Sequence, residues 1–125
     1  MKIRIKGNSL RYRLTRPEVE QFALSGRVEE KINFGDNALH YVLQRTNKKE
    51  ISASFKDNAI TFYLPESMVE EWINTDRTGF EYNMALKNSN EKLYLLVEKD
   101  FTCVDKVDED QSDNYPNPLL KNAYE

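Results

Sequence analysis

Ile3-Arg4-Ile5-Lys6-Gly7-Asn8-Ser9-Leu10-Arg11-Tyr12-Arg13-Leu14 decides the architecture. Two alternating runs flank Gly7-Asn8, and glycine at the first central position of a two-residue turn signals a hairpin. Folded there, Ile5 faces Leu10 and Ile3 faces Tyr12, so the apolar side chains share one face. Further on stands Ile51-Ser52-Ala53-Ser54-Phe55-Lys56-Asp57-Asn58-Ala59-Ile60-Thr61-Phe62-Tyr63-Leu64. Asp57 and Asn58 both tolerate the left-handed backbone of a tight turn. Phe55 then faces Ile60 and Ala53 faces Phe62, which is the same hairpin 50 residues later.

The parallel extends outward. Thr15 and Glu18 have capping-box spacing, with Pro17 in the first turn. Val19, Phe22 and Ala23 form a helical stripe that Gly26 stops. In the second half Ser67 and Glu70 repeat the box, and Met68, Val69, Trp72 and Ile73 repeat the stripe. A hairpin follows each helix, turning at Gly35-Asp36-Asn37 and at Asn88-Ser89-Asn90. Residues 3–28 align with 53–78 without a gap and share six of 26 identities, against roughly one or two by chance.

These readings predict an α+β fold, mainly antiparallel β. Two tandem ββαββ units, about 1–46 and 51–98, would form one pseudo-two-fold swapped-hairpin barrel within a single domain over 1–104. Closure would remove exposed strand edges. Residues 105–125 would form an acidic tail containing proline and asparagine; Pro116 and Pro118 bar a helix there.

At 125 residues the chain has the length of one domain. No apolar run is long enough to span a bilayer, and the alternating start is a strand rather than a signal peptide. The single cysteine, Cys103, excludes an intrachain disulfide, so a cytoplasmic setting is expected. Net charge is −3 but unevenly placed: the first 16 residues hold six basic side chains and no acid. Asp105, Asp108, Glu109, Asp110 and Asp113 stand against Lys106 in the tail. The asymmetry implies either an anionic partner for the start or neutralisation between start and tail.

Gly7-Asn8-Ser9 with Arg13-Leu14, and Leu64-Pro65-Glu66-Ser67-Met68 with Glu70-Glu71, resemble the short motifs of AbrB-like domains and MazE-type antitoxins. In those families two chains exchange hairpins, and DNA is contacted from the first hairpin. The resemblance therefore implies a non-enzymatic DNA-binding or regulatory module, with duplex DNA as partner. Over its whole length the chain also resembles an uncharacterised bacterial family of unknown function. Lys2 to Arg11, Glu98-Lys99-Asp100-Phe101-Thr102-Cys103, Asp110 to Asp113 and Pro116-Asn117-Pro118 carry that likeness.

The candidate nucleic-acid or anion site is Arg4, Lys6, Asn8, Ser9, Arg11 and Arg13. Arg4 lies opposite Arg11 and Lys2 opposite Arg13, and like charges opposed across strands destabilise. Phosphate would compensate; so would acids of this chain, with Glu29, Glu30, Glu81 and Glu98 available on strands. Glu30 has inward parity and needs a partner if buried. The second unit carries Ser54, Thr61 and Tyr63 in place of the arginines. Alternatives are a small-anion binder, or a protein-interaction module acting through the barrel surface or the tail, anchored by Tyr115, Leu119, Leu120 and Tyr124. No catalytic residue, cofactor or metal site is expected: His40 and Cys103 stand alone, and Asp108 to Asp113 lacks the glycine and distal glutamate of a calcium loop. Phe22 and Trp72 are expected in the core.

Overall fold

The structure, a computed structural model, describes residues 1–100; Cys103 and the tail candidates Tyr115, Leu119, Leu120 and Tyr124 lie outside the described residues. The elements are β1 (Lys2–Ile5), β2 (Ser9–Leu14), α1 (Arg16–Ser25), β3 (Arg27–Asn33), β4 (Ala38–Thr46), β5 (Ser52–Lys56), β6 (Ala59–Pro65), α2 (Glu66–Asn74), β7 (Gly79–Ala85) and β8 (Lys92–Lys99). The order is hairpin, helix, hairpin, twice over.

Local chemistry sets the turns. Gly7 has positive φ, whereas Asp57 and Asn58 both do in the β5–β6 turn. The registers follow the alternation: Ile3 pairs with Tyr12 and Ile5 with Leu10, while Ala53 pairs with Phe62 and Phe55 with Ile60. In α1 the Thr15 amide donates to Glu18 at 2.9 Å, closing the capping box. Gly26 ends it in the left-handed region, donating to the Phe22 carbonyl at 2.8 Å. The expected box at Ser67 and Glu70 does not cap α2. That helix starts at Glu66 behind Pro65, whose fixed φ of −57° prepares the first turn. Ser67 is thus already inside the helix.

Pairing joins the hairpins across the two halves. One sheet has the order β1-β2-β8-β7 and the other β3-β4-β6-β5. Each takes the first hairpin of one half and the second hairpin of the other. Even the registers correspond: Ser9 lies beside Tyr94, and Ala59, 50 residues after Ser9, lies beside His40. Arg45 donates its amide to Gly26, and Lys99 donates to Thr78, each at 2.9 Å.

Two expectations are corrected. The central pairs β2·β8 and β4·β6 are parallel, since strands drawn from different halves need no tight turn between them. The ladder also does not close into a barrel among the described residues. The short strands β1 and β5 end their sheets as edges, and polar groups outside the ladder bridge the two seams. At one seam the Met1 ammonium meets Glu18 and, at 2.7 Å, Glu30. Burial works against that ammonium's charge, but the two carboxylates hold it above its ordinary value. Glu30, expected to need a partner if buried, is partly exposed and has one in this ammonium. At the other seam the Tyr82 hydroxyl donates to Glu50 at 3.2 Å.

The core lies between the sheets and beneath the helices, and no buried side-chain polar atom of the described residues lacks a partner. Phe22 and Trp72, both fully buried, meet edge to face with centroids 6.3 Å apart. Tyr12 packs on Phe62 at 5.3 Å and donates its hydroxyl to the Ile60 carbonyl of the opposite sheet at 2.8 Å. Neither helix carries a basic residue in its last turn. Strand cations take that place: Lys99 donates to the Thr75 carbonyl at 3.1 Å, and the Arg45 guanidinium lies over Gly26, where it complements the negative helix end. A Cβ at Gly79 would meet the Val97 carbonyl at 2.0 Å, so β7 approaches β8 as only glycine allows.

Tyr12 gives a test of the inter-sheet bond. Tyr12→Phe should cost about 1–2 kcal/mol in urea unfolding, because Ile60 loses its buried donor. Burial keeps the folded phenol protonated well above its ordinary 10.0. The unfolded chain ionises first as pH rises through that value, so stability falls above it. The variant should lose this part of the alkaline decline; an unchanged profile would place the phenol in contact with water.

Candidate functional site

The β1–β2 hairpin presents Lys2, Arg4 and Lys6 from one strand and Arg11 and Arg13 from the next. Arg4 does lie opposite Arg11, and Lys2 opposite Arg13. The repulsion is answered from β8. Parallel pairing sets Glu98 beside Arg13. Its Oε1 accepts from Arg11 Nη2 at 2.6 Å and from Arg13 Nη2 at 2.9 Å. Asp100 lies 3.5 Å from Lys2 Nζ and 3.9 Å from Arg13 Nη1. Arg4 is engaged as well. Asn8 donates its side-chain amide to the Lys92 carbonyl at 2.8 Å, and Ser9 donates its hydroxyl to the Lys6 carbonyl at 2.6 Å. Lys6 is exposed and makes no ion pair among the described residues.

The other sheet supplies a control inside the same molecule. Thr61 and Tyr63 stand where β2 has Arg11 and Arg13, and the strand beside Tyr63 carries Gln44 where β8 carries Glu98. Where the arginines are absent, so is the acid. On that sheet Glu29 accepts from Arg27 at 3.0 Å and contacts His40 Nδ1 at 2.8 Å. Arg27, then His40, hold this exposed carboxyl below its ordinary value. Arg27 is the third polar side chain joined to His40 and Glu29, and no metal-holding group occurs among the described residues.

A second surface was not singled out from the sequence. The helices leave β2 and β6 at one end and pack on each other through Phe22 and Trp72. Both sheets therefore turn at the opposite end. There Asn8 ties its turn to β8, and Asn58 donates to Asn37 at 3.3 Å. At this turn end Ile5 is 61%, Phe55 69%, Phe34 65% and Ile32 43% exposed. All four occupy apolar-face positions of their hairpins, which alternation assigns to the core; the sheets run past the core and leave them in solvent. Lys6, Lys31, Lys56, Lys87 and Lys92 flank the four turns in sequence, with Asp36, Asp57 and Glu91 as the acids beside them. None of these lysines makes an ion pair among the described residues. The groove between α1 and α2, about 540 Å³, mixes Arg45 with Glu66 and Glu70, so it has no single charge preference.

Glu98→Gln should lower stability by about 1–2 kcal/mol at low salt, the worth of charged hydrogen bonds discounted for partial exposure. Added salt should shrink the loss by screening the opposed arginines. Urea melts at two ionic strengths would measure it, and an unchanged midpoint would show that Glu98 does not neutralise the pair.

No helix of the described residues is long and apolar enough to cross a membrane. No curated protein and no solved structure matches the chain. Residues 1–119 match the family described as Family of unknown function (DUF7009), and the chain belongs to that family.

Proposed function

We propose that this chain is a non-enzymatic protein-interaction module whose turn end binds an apolar peptide segment flanked by acidic residues. The observation that carries this reading is the exposure of Ile5, Ile32, Phe34 and Phe55, each close to a hairpin turn. Clustered exposed apolar side chains rimmed by polar ones mark interaction surfaces. The lysines beside these turns, none of them ion-paired among the described residues, favour a negatively charged flank. A single domain over 1–104, built from two copies of one unit, belongs to the same proposal; the matching pairing of the two sheets supports it.

The regulator reading that came with the AbrB-like and MazE-type resemblance has less support. The side chains that the resemblance implicates, Arg4, Asn8, Ser9 and Arg13, are already engaged: Arg13 with Glu98, Asn8 with Lys92, Ser9 with Lys6, and Arg4 as well. Breaking those bonds for phosphate would offset much of the gain.

The test is fluorescence anisotropy of a labelled peptide of alternating glutamate and leucine closed by phenylalanine. Phe34→Asp and Phe55→Asp should each weaken binding about tenfold, the effect of removing one apolar anchor. Their exposure predicts little change in melting. Equal affinity for the wild type and both variants would overturn the reading.

A further inference from the structure

The groove of about 540 Å³ between α1 and α2 has the size of a small-molecule site, since such sites span roughly 300–1,000 Å³. One face of α2 lines it from Glu66 to Asn74, with Arg45 of β4 and Ala23 of α1. Its charges are unsatisfied. Glu66, Glu70 and the Arg45 guanidinium are exposed and make no ion pair among the described residues. The Ser67 hydroxyl and the Asn74 side-chain amide make no hydrogen bond there either. Opposite charges thus line one groove without pairing to each other. The other half shows that the scaffold does not need this set. Arg16, Pro17 and Leu24 stand 50 residues before Glu66, Ser67 and Asn74, although Glu20 matches Glu70. Lys99, the ladder counterpart of Arg45, is already engaged with the Thr75 carbonyl.

We infer that this groove binds a small zwitterion of di- or tripeptide size, its carboxylate on Arg45 and its ammonium on Glu66 and Glu70. A simple anion would meet the two glutamates, and a simple cation would meet the arginine. A ligand carrying both signs gains from both. The guanidinium takes a carboxylate bidentately, whereas the glutamates accept from an ammonium. Length sets the size. Glu66 to Asn74 spans about 12 Å at helical rise, and an extended tripeptide spans about 10 Å. Ser67 and Asn74 are then available to its peptide groups, and buried Val69 and exposed Ile73 to an apolar side chain. Exposed ion pairs are individually weak, so recognition depends on engaging both ends of the ligand at once. The groove lies at the helix end, so the inference is independent of the turn-end reading.

The experiment titrates the isotope-labelled full chain with alanyl-leucyl-alanine, its N-acetyl form and its C-terminal amide, and follows backbone amide shifts by NMR. The free tripeptide should shift Arg45, Ser67 and Asn74 saturably. Blocking either end should weaken binding about three- to tenfold, the worth of a charged contact discounted for exposure. The variants should cross. Arg45→Gln should abolish the penalty for amidation and keep the penalty for acetylation; Glu66→Gln/Glu70→Gln should do the reverse. A merely structural role would lower all three affinities together. Arg45 also lies over the end of α1, so if Arg45→Gln fails to fold, the glutamate variant, altered only at exposed positions, carries the test alone. No saturable shift at about 10 mM tripeptide, far weaker than a specific site gives, would overturn the proposal. Equal affinity for the free and blocked peptides would also overturn it. So would binding that Phe55→Asp abolishes, because the peptide would then sit at the turn end.

Discussion

Contact between corresponding residues of the two halves holds this fold together. Tyr12 and Phe62 are 50 residues apart and occupy the same place in their hairpins; they pack on each other. Phe22 and Trp72, also 50 apart and in the same place on their helices, do likewise. In an isologous interface a residue meets its own counterpart only near the symmetry axis. These two aromatic contacts therefore mark an internal axis, with helices at one end of it and turns at the other. Each such pair adds about 0.5–1.5 kcal/mol beyond the area it buries. The hairpin exchange follows from the same axis, because each half completes a sheet with strands of the other.

Symmetry breaks where chemistry requires it. Tyr12 keeps a hydroxyl that Phe62 lacks, and the Ile60 carbonyl receives it. The arginines of β2 have no counterparts on β6, and Glu98 is matched by Gln44 in the same way. A carboxylate accepting from two guanidinium groups stabilises a cross-strand arrangement that would otherwise be repulsive. The cationic hairpin is thus largely a property of one sheet, balanced within that sheet.

The local features were legible in the sequence. Gly7-Asn8 and Asp57-Asn58 turn where alternation places them, the registers of both hairpins follow, and Thr15, Glu18 and Gly26 bound α1 as spacing indicates. Nonlocal features were harder to read. Parallel pairing of β2 with β8 joins residues about 85 apart, and no periodicity within either strand encodes it. Glu98 was one of four acids equally available to the arginines until that register chose it. Glu30 needed a partner that is a main-chain amine, invisible to a search among side chains. Alternation also assigned Ile5, Ile32, Phe34 and Phe55 to the apolar face without showing how far that face outruns the core.

Those four side chains are the part of the molecule that its stability does not explain. Ile5 and Phe55 are counterparts, and both are exposed. Elsewhere the halves differ in polarity, as Arg11 against Thr61 and Arg13 against Tyr63 show. At this position both carry a large apolar side chain in water, which favours association. Their burial on folding contributes little, since more than half of each remains accessible. A hairpin tip needing only a stable turn would be served by threonine or lysine, which also blunt an edge. Large apolar residues on both halves, at the end where the core stops and lysines without an ion pair among the described residues begin, are what the proposed docking contact would bury.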